Sequence, residues 1–569
     1  MRGETSAGLR QRLEREHLLH PLAAAVLAQR GIPPEEAAFF LQPSLLELPK
    51  PELLPGFAAA AAAFDLAQAR QDLVLLHGDY DADGLCGAVL MKMLAEHLGL
   101  RTQSFVPDRV TDGYSFGARS LAEIEACGAK LVIAVDNGTT AFEPLAILAE
   151  RGVQVLVVDH HPPAHTLPIC TALVNPWLAP RTGPEALFPH FCGTATAWLL
   201  AWGILRRRNG AGPQPPAARK LLNDTLGLVA LATVADVMPL TGPNRALVAA
   251  GLRVLSDSGL PGLRALVASS GVRGAPTAQD LAFKVAPRLN AAGRLGRAEL
   301  SFRLLASNSE LEAKALCAEL EALNLERREI QEREMEKLAP DVSEQLRHGP
   351  GLIFAGRSDG HFGVLGVVAG QVQESTGLPT LLWAECEPGL ARGSARAPQG
   401  TDLVGLLAGA AEHLSGYGGH ARAAGFHFDP ARAAQIGEAL RRTAAALPLP
   451  GLPLLELDGE ISPGESDLEA ALALARLAPY GEAFPEPVFL CAGARLTADP
   501  RALGAGGHAE LRLEREGASI RVLAWRSLQR CRDLRAGDRV DVAVSLGVND
   551  FRGQRRVEWT LRDLSAQPV

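Results

Sequence analysis

The sequence is short of lysine. Seven of its 56 basic residues are lysine and the rest are arginine. Arginine is the better bidentate fork for phosphate, although a genome's compositional bias produces the same excess. Long apolar runs are missing: no stretch reaches the ~18 to 20 residues of a membrane helix. The alanine tract at 58–63 is soon broken by Asp65. The opening MRGETSAGLRQRLEREH has no apolar h-region, so no signal peptide is expected, and a cytoplasmic protein is. The eight cysteines (86, 127, 170, 192, 317, 386, 491 and 531) form no CxxC pair. This argues against a zinc knuckle or a disulfide framework and for reduced, mostly buried thiols. No repeat of 20 to 50 residues stands out, which argues against a solenoid. A net basic charge is absent too. The value of -8 argues against a broadly basic nucleic-acid binder, yet residues 501–569 hold 13 arginines against nine acids.

What is present is ordinary globular composition, 47% hydrophobic and 21% charged, over 569 residues. At ~150 residues per domain that length predicts roughly four domains. Residues 1–50 read as short helices broken by Pro33, Pro34 and Pro43. From 51 to 305, apolar runs alternate with helical spacing: DLVLLH (72–77), KLVIAV (130–135) and VQVLVV (153–158). Such runs between helices predict an α/β lobe with a parallel sheet. ARKLLNDTLGLVALATVAD (218–236) reads as a buried helix. The connecting segment 306–345 holds one long helix at 309–339, capped by Ser309 with Glu312 and stopped by Pro340. Leu316, Leu320, Leu323 and Ile330 share one of its faces. A second α/β lobe is expected over 346–447, then a proline-rich linker. Residues 455–569 show period-two alternation, which predicts a small β-barrel.

Acids and histidines follow the apolar runs: His77-Gly78-Asp79-Tyr80-Asp81-Ala82-Asp83-Gly84, Asp136-Asn137-Gly138, Asp159-His160-His161, and Asp236 after the buried helix. In an open parallel sheet, ligands bind beyond the carboxyl ends of the strands. A lone acid there is usually a cap or turn residue. The DxDxDG string also resembles a calcium loop, but position 90, where that loop needs glutamate, is Leu90. Four clusters in strand-end register argue for one site. Carboxylates with imidazole and no thiolate suit Mn²⁺, with Mg²⁺ as the alternative. Two ions ~3.5 to 4 Å apart would activate water and stabilise the leaving oxygen of a phosphodiester. Asp136, alone at a central strand end, is expected to bridge them.

GDYDADG, VDNG, DHH and ADVMPL with Asn244-Arg245 occur in this order. PRLNAAGR (287–294), GVLGVVAG (363–370), GSAR (393–396) and GYGGHARAAGF (416–426) follow. This series resembles the RecJ-like single-strand-specific exonucleases of the DHH phosphoesterase superfamily, over residues 40–569. It departs at Gly360, where relatives often have tryptophan, and at Ala397, where they often have serine. The resemblance implies a DHH lobe, a linking helix, a DHH-associated (DHHA1) lobe and an OB-type domain. It implies metal ligation by Asp81, Asp83, Asp136, His160 and Asp236, with His77 a further ligand. Asp159 and His161 would orient a ligand or touch phosphate, so Asp136, Asp159 and His161 are the expected catalytic groups. The implied activity is two-metal, 5′-to-3′ hydrolysis of single-stranded DNA in repair and recombination. A single-strand-binding protein and a helicase would be further partners, and no membrane is involved.

Candidate strand contacts mix cations with aromatic rings. They are Arg109, Tyr114 and Phe116, then Arg288, Asn290 and Arg294. In the second lobe they are Ser394, Arg396, Gly419 and His420, where glycine frees backbone N–H groups for phosphate. In the tail, Arg552, Arg555 and Arg556 are the better candidates, and Trp559 reads as core. Two other functions compete. A DHH phosphodiesterase of short oligonucleotides or cyclic dinucleotides needs only the two lobes. A non-catalytic scaffold that binds single-stranded DNA would have broken ligand positions.

Overall fold

The computed structural model describes residues 7–109, 112–113, 115–180, 188, 190–349, 351–446, 454–504, 506–551 and 554–566. Tyr114, Arg552 and the linker residues 447–453 lie outside the described residues. The chain divides into two compact units, one of residues 49–238 and 250–454, the other of 1–48, 239–249 and 455–569.

The larger unit is built on β1 (Leu73–Gly78), β2 (Arg101–Phe105), β3 (Leu131–Val135), β4 (Gln154–Val158) and β5 (Ala172–Val174). All neighbours are parallel, in the order β2-β1-β3-β4-β5. β3 is buried along its whole length, because helices cover both faces of such a sheet. That is why its sequence is a continuous apolar run rather than an alternation. Strand order reverses at β1, so the crevice between the carboxyl ends of β1 and β3 is the switch point. Helix Pro216–Ala235 matches the expected buried helix and ends on Asp236.

Helix Glu310–Arg347 spans 38 residues, longer than the sequence predicts. Pro340 does not stop it. Proline removes one donor and crowds the preceding turn, but Leu338 and Val342 on either side pack into the second lobe's core. Ser309 caps the helix by accepting from the N–H of Glu312, whose carboxylate accepts instead from the Ser307 hydroxyl at 2.7 Å.

The second lobe has β6 (Ile353–Arg357), β7 (Thr380–Glu387), β8 (Leu390–Arg396), β9 (Gly416–Gly419) and β10 (Ala423–Phe428), in the order β6-β7-β8-β10-β9. Its register sets Ser394 opposite Gly425 and Gly419 opposite Ala424. Ser394, Arg396 and Gly419 therefore share one end of the sheet.

The smaller unit is a closed barrel. Its strands are β11 (Gly459–Glu460), β12 (Phe489–Leu496), β13 (Arg501–Leu503), β14 (His508–Arg515), β15 (Ala518–Ala524), β16 (Arg539–Phe551) and β17 (Gln554–Ala566). β12 pairs with both β16 and β14, which closes the ring. The N-terminal helices do not stand apart. Leu13, Val26, Leu27 and Phe40 share one core with Phe489, Val542 and Trp559 of the barrel. Arg245 ties the 239–249 segment in, donating to the carbonyls of Phe40, Leu477, Ala478 and Pro479 at 2.6 to 3.0 Å.

Candidate metal centre and phosphate pocket

The sheet register places the acids in one row. Gly78 is opposite Val135, Val135 opposite Val158, and Val158 opposite Val174. The residues that follow are Asp79, Asp136, Asp159 and Asn175, all at the carboxyl edge. Asp136 has φ +63°, a left-handed backbone uncommon for a side chain larger than glycine. Gly193 leaves room for its side chain: a Cβ there would stand 2.9 Å from the Asp136 Cβ. Both Asp83 oxygens accept from backbone N–H groups at the start of helix Gly193–Asn209, from Gly193 at 2.7 Å and Thr194 at 2.8 Å. A helix N-terminus favours a carboxylate. The Asp81 side chain accepts from Asp83 N–H at 3.0 Å and Gly84 N–H at 3.2 Å.

His160 joins these acids. Its Nε2 lies 3.1 Å from Asp136 Oδ1, 3.4 Å from Asp236 Oδ2 and 3.8 Å from Asp83 Oδ2. Three sets offer ligand atoms within 4.8 Å of one another: Asp136, His160 and His161; Asp83, His160 and Asp236; Asp79, Asp81 and Asp136. Asp136 belongs to two of them, as a bridging residue would. All five residues on which the metal reading rests are gathered. Asp79 joins them, although the sequence reading does not include it among the ligands. The signal was available, since it directly follows β1 just as Asp136 follows β3.

His77 does not join them. Its ring is buried, with Nδ1 3.2 Å from Asn137 Oδ1 and Nε2 3.0 Å from Ser120 Oγ. Burial holds this imidazole down at about 4. Its place at a strand end matches a ligand, but both nitrogens already have partners. Phe116, expected to meet the strand, instead stacks on His77 at 4.1 Å and is buried in the core.

The electrostatics fit cations. Burial, and then Asp83, Asp81, Asp236 and Asp79, hold Asp136 well above the carboxylate range. Burial and the neighbouring acids do the same to Asp79 and Asp236. Asp79 Oδ1 and Asp236 Oδ2 are buried without a hydrogen bond among the described residues. Among the described residues, Asp79, Asp81, Asp83 and Asp236 have no lysine or arginine at ion-pair distance, although the Arg109 charge acts on Asp79. Hard oxygen donors with one or two imidazoles and no thiolate are a Mn²⁺ or Mg²⁺ set. Beside them, Asp159 Oδ1 holds His161 Nδ1 at 2.8 Å. Burial opposes the His161 charge, but the Asp159 hydrogen bond and charge push it up to about 9. Burial also works against the Asp159 charge, yet His161 keeps that carboxyl below its usual range.

A cationic pocket flanks the acids. Arg109 lies over the rings of Tyr80 at 5.2 Å and Phe362 at 5.9 Å, and its Nε is buried without a hydrogen bond. Arg294 reaches the Gly363 carbonyl at 3.3 Å. Burial, then Arg109, Arg396 and Arg327, pull its pKa down to about 9. Burial and Arg109 lower Arg396 to about 10. Arg396 donates to Ser394 Oγ at 3.0 Å. None of the three has a carboxylate at ion-pair distance among the described residues, and only Arg109 acts on one from further off, Asp79. Half-buried guanidinium groups with no carboxylate at ion-pair distance make a receptor for a multiply charged anion. The side chain of His420, beyond Gly419, is close enough to His161 that their charges oppose each other.

Two other expected contacts have structural partners. Arg288 is paired with Glu321 of the long helix and donates to the Lys284 carbonyl at 2.5 Å. Asn290 Oδ1 accepts from the Ala82 N–H at 2.8 Å, which braces the loop that carries Asp81 and Asp83. In the barrel, Trp559 is core as expected, Arg555 faces Asp550 and Arg556 donates to Gln554.

A family model of the DHH family, N-terminal domain, matches residues 73–233. Fold and site thus define a DHH phosphoesterase. A model of the RecJ OB domain matches residues 457–563. The single-stranded-DNA-specific exonuclease RecJ of Thermus thermophilus is 36% identical over 96% of this chain and 75% of its own length. The RecJ of Dickeya dadantii is 33% identical over 96% of both chains. The crystal structure of the Thermus thermophilus RecJ in complex with Mn²⁺ superposes with a TM-score of 0.84, at 34% identity, covering 99% of this chain and 78% of that one. The chain belongs to the RecJ family of single-stranded-DNA-specific exonucleases. No described helix is long and apolar enough to cross a membrane.

Proposed function

We propose that this chain hydrolyses single-stranded DNA from its 5′ end, one phosphodiester at a time, with two divalent cations. One observation supports this above the others: a single imidazole, His160, lies within 4 Å of three carboxylates from separate segments, Asp83, Asp136 and Asp236. Asp79, Asp81, Asp83, Asp136, His160 and Asp236 would hold the cations. When bound, Mn²⁺ or Mg²⁺ supplies the charge that activates water and stabilises the leaving oxygen.

The protein's own groups do the rest. Asp159 fixes the His161 ring and keeps it protonated, so the imidazolium can donate to a non-bridging oxygen as charge develops there. Arg109, Arg294 and Arg396 with Ser394 grip the terminal phosphate and set which bond faces the acids. A complete ligand set argues against a scaffold that has lost its chemistry. Such a reaction belongs with the chromosome, hence the cytoplasm. A helicase that exposes single strands and a protein that coats them are its natural partners.

The test uses strands labelled at either end, with Mn²⁺. The expected result is early release of 5′ label as mononucleotide, and none from an Asp136→Ala protein. Early release of 3′ label, or full activity in the variant, overturns the proposal.

A further inference from the structure

Helix Ala286–Arg294 is preceded by a π-helical turn, Leu281–Val285. π-turns insert a residue into the helical ladder and recur at functional sites. This one holds Leu281 and Val285 in the core and leaves Phe283 outside, 77% exposed. Among the described residues, Phe283 has no ring or cation partner. An aromatic ring held out in this way needs a reason.

Its position supplies one. Phe283, Asn290 and Arg294 are spaced i, i+7 and i+11. At ~3.6 residues per turn these fall on one stripe, which the π-turn shifts by only part of a turn. The other two members both face the site. Asn290 binds the Ala82 N–H of the metal loop, and Arg294 enters the cationic pocket. Phe283 extends that stripe by roughly 10 Å before Asn290, at ~1.5 Å per residue. The π-turn also packs against helix Pro216–Ala235, whose end carries Asp236.

We infer that Phe283 is a stacking platform for an unpaired base of the single strand, on the 3′ side of the scissile phosphate. The polarity follows from the helix acting as a ruler: Arg294 marks the end that takes the 5′ phosphate, and Phe283 marks the other. Bases stack on aromatic faces with little sequence preference, which suits a nuclease that must accept every base. This placement rests on the nuclease reading given above. It adds a grip on the body of the strand to the grip on its terminus.

The test pairs two substrates in the whole 569-residue chain with Mn²⁺. Bis(p-nitrophenyl) phosphate has a cleavable diester but no strand to reach Phe283. An oligothymidylate has both. Phe283→Ala is expected to lower kcat/KM on the oligonucleotide roughly ten-fold, mainly through KM, and to leave bis(p-nitrophenyl) phosphate hydrolysis unchanged. Phe283→Trp is expected to restore oligonucleotide turnover. Its added indole emission should be quenched when the oligonucleotide binds in Ca²⁺. Parent-like turnover of the oligonucleotide by Phe283→Ala, or Phe283→Trp emission unmoved by binding, overturns the inference. If the parent cleaves neither substrate, the nuclease reading fails instead. The emission measurement needs no catalysis and still decides whether a base stacks there.

Discussion

Asp159 and His161 form an ion pair, Oδ1 to Nδ1 at 2.8 Å, at the edge of the carboxylate cluster, with the same Nδ1 3.8 Å from Asp136 Oδ1. The same Asp159 oxygen accepts from the His160 N–H at 2.7 Å, and its other oxygen from the Thr139 N–H at 3.1 Å. One carboxylate thus sets the backbone of one histidine and the ring and charge of the next.

Asp159→Asn keeps the shape and removes the charge. It is expected to lower kcat by about 10- to 100-fold while KM for DNA changes little. Steady-state rates on an oligonucleotide at saturating Mn²⁺ check this. A change confined to KM would mean that the pair serves binding alone.

Asp136→Asn acts on stability and activity in opposite directions. Burial and four like charges raise the folded-state pKa of Asp136. Ionising it therefore disfavours the fold once pH exceeds the carboxylate range. The variant should melt higher than the parent in EDTA, lose most of the upward shift that Mn²⁺ gives the parent, and lose at least about 10³-fold in kcat. Thermal melts with and without Mn²⁺ read the first two effects.

Arg294→Ala opens the cationic pocket. KM for a 5′-phosphorylated strand should rise about ten-fold, and the slope of log affinity against log salt should fall by about 1. A strand with a 5′ hydroxyl should be affected less. Titrations at several salt concentrations separate this from simple unfolding.

Glu510, on β14 of the barrel, makes a pH prediction that involves none of the candidate ligands. Its buried carboxylate accepts from Arg521 at 2.8 Å, Arg501 at 3.0 Å and Arg512 at 3.3 Å. The Arg521 hydrogen bond first, then those of Arg501 and Arg512 against the effect of burial, lower its pKa from 4.5 to about 2. The stability it contributes is complete above 4.5 and is lost as pH falls through about 2. Glu510→Gln should therefore melt well below the parent at pH 6, with the gap narrowing as pH falls toward 3.

The clustering of acids and histidines was legible because a two-face-buried parallel sheet writes each strand as an apolar run, and the acid after each run must sit at the carboxyl edge. What failed was the reading of environment. His77 has a ligand's residue type and a strand-end position, but Asn137 and Ser120 occupy both its nitrogens. Phe116 and Arg288 have the residue types of strand contacts and are taken by His77 and Glu321. Such partners are 33 to 60 positions away, where no local pattern reaches. Pro340 misled for the opposite reason: a local stop signal was outweighed by core packing on either side.

The shared core of the first helices and the barrel has a consequence during synthesis. Leu13, Val26 and Leu27 pack among the first three helices, but their core is completed by residues near the other end of the chain, such as Phe489 and Val542. At ~5 to 20 residues per second, a ribosome needs roughly 25 to 100 s to make the intervening chain. The first apolar segments to emerge are among the last to be covered, so nascent chains interrupted before the barrel should be a preferred client of the chaperones that wait at the exit tunnel.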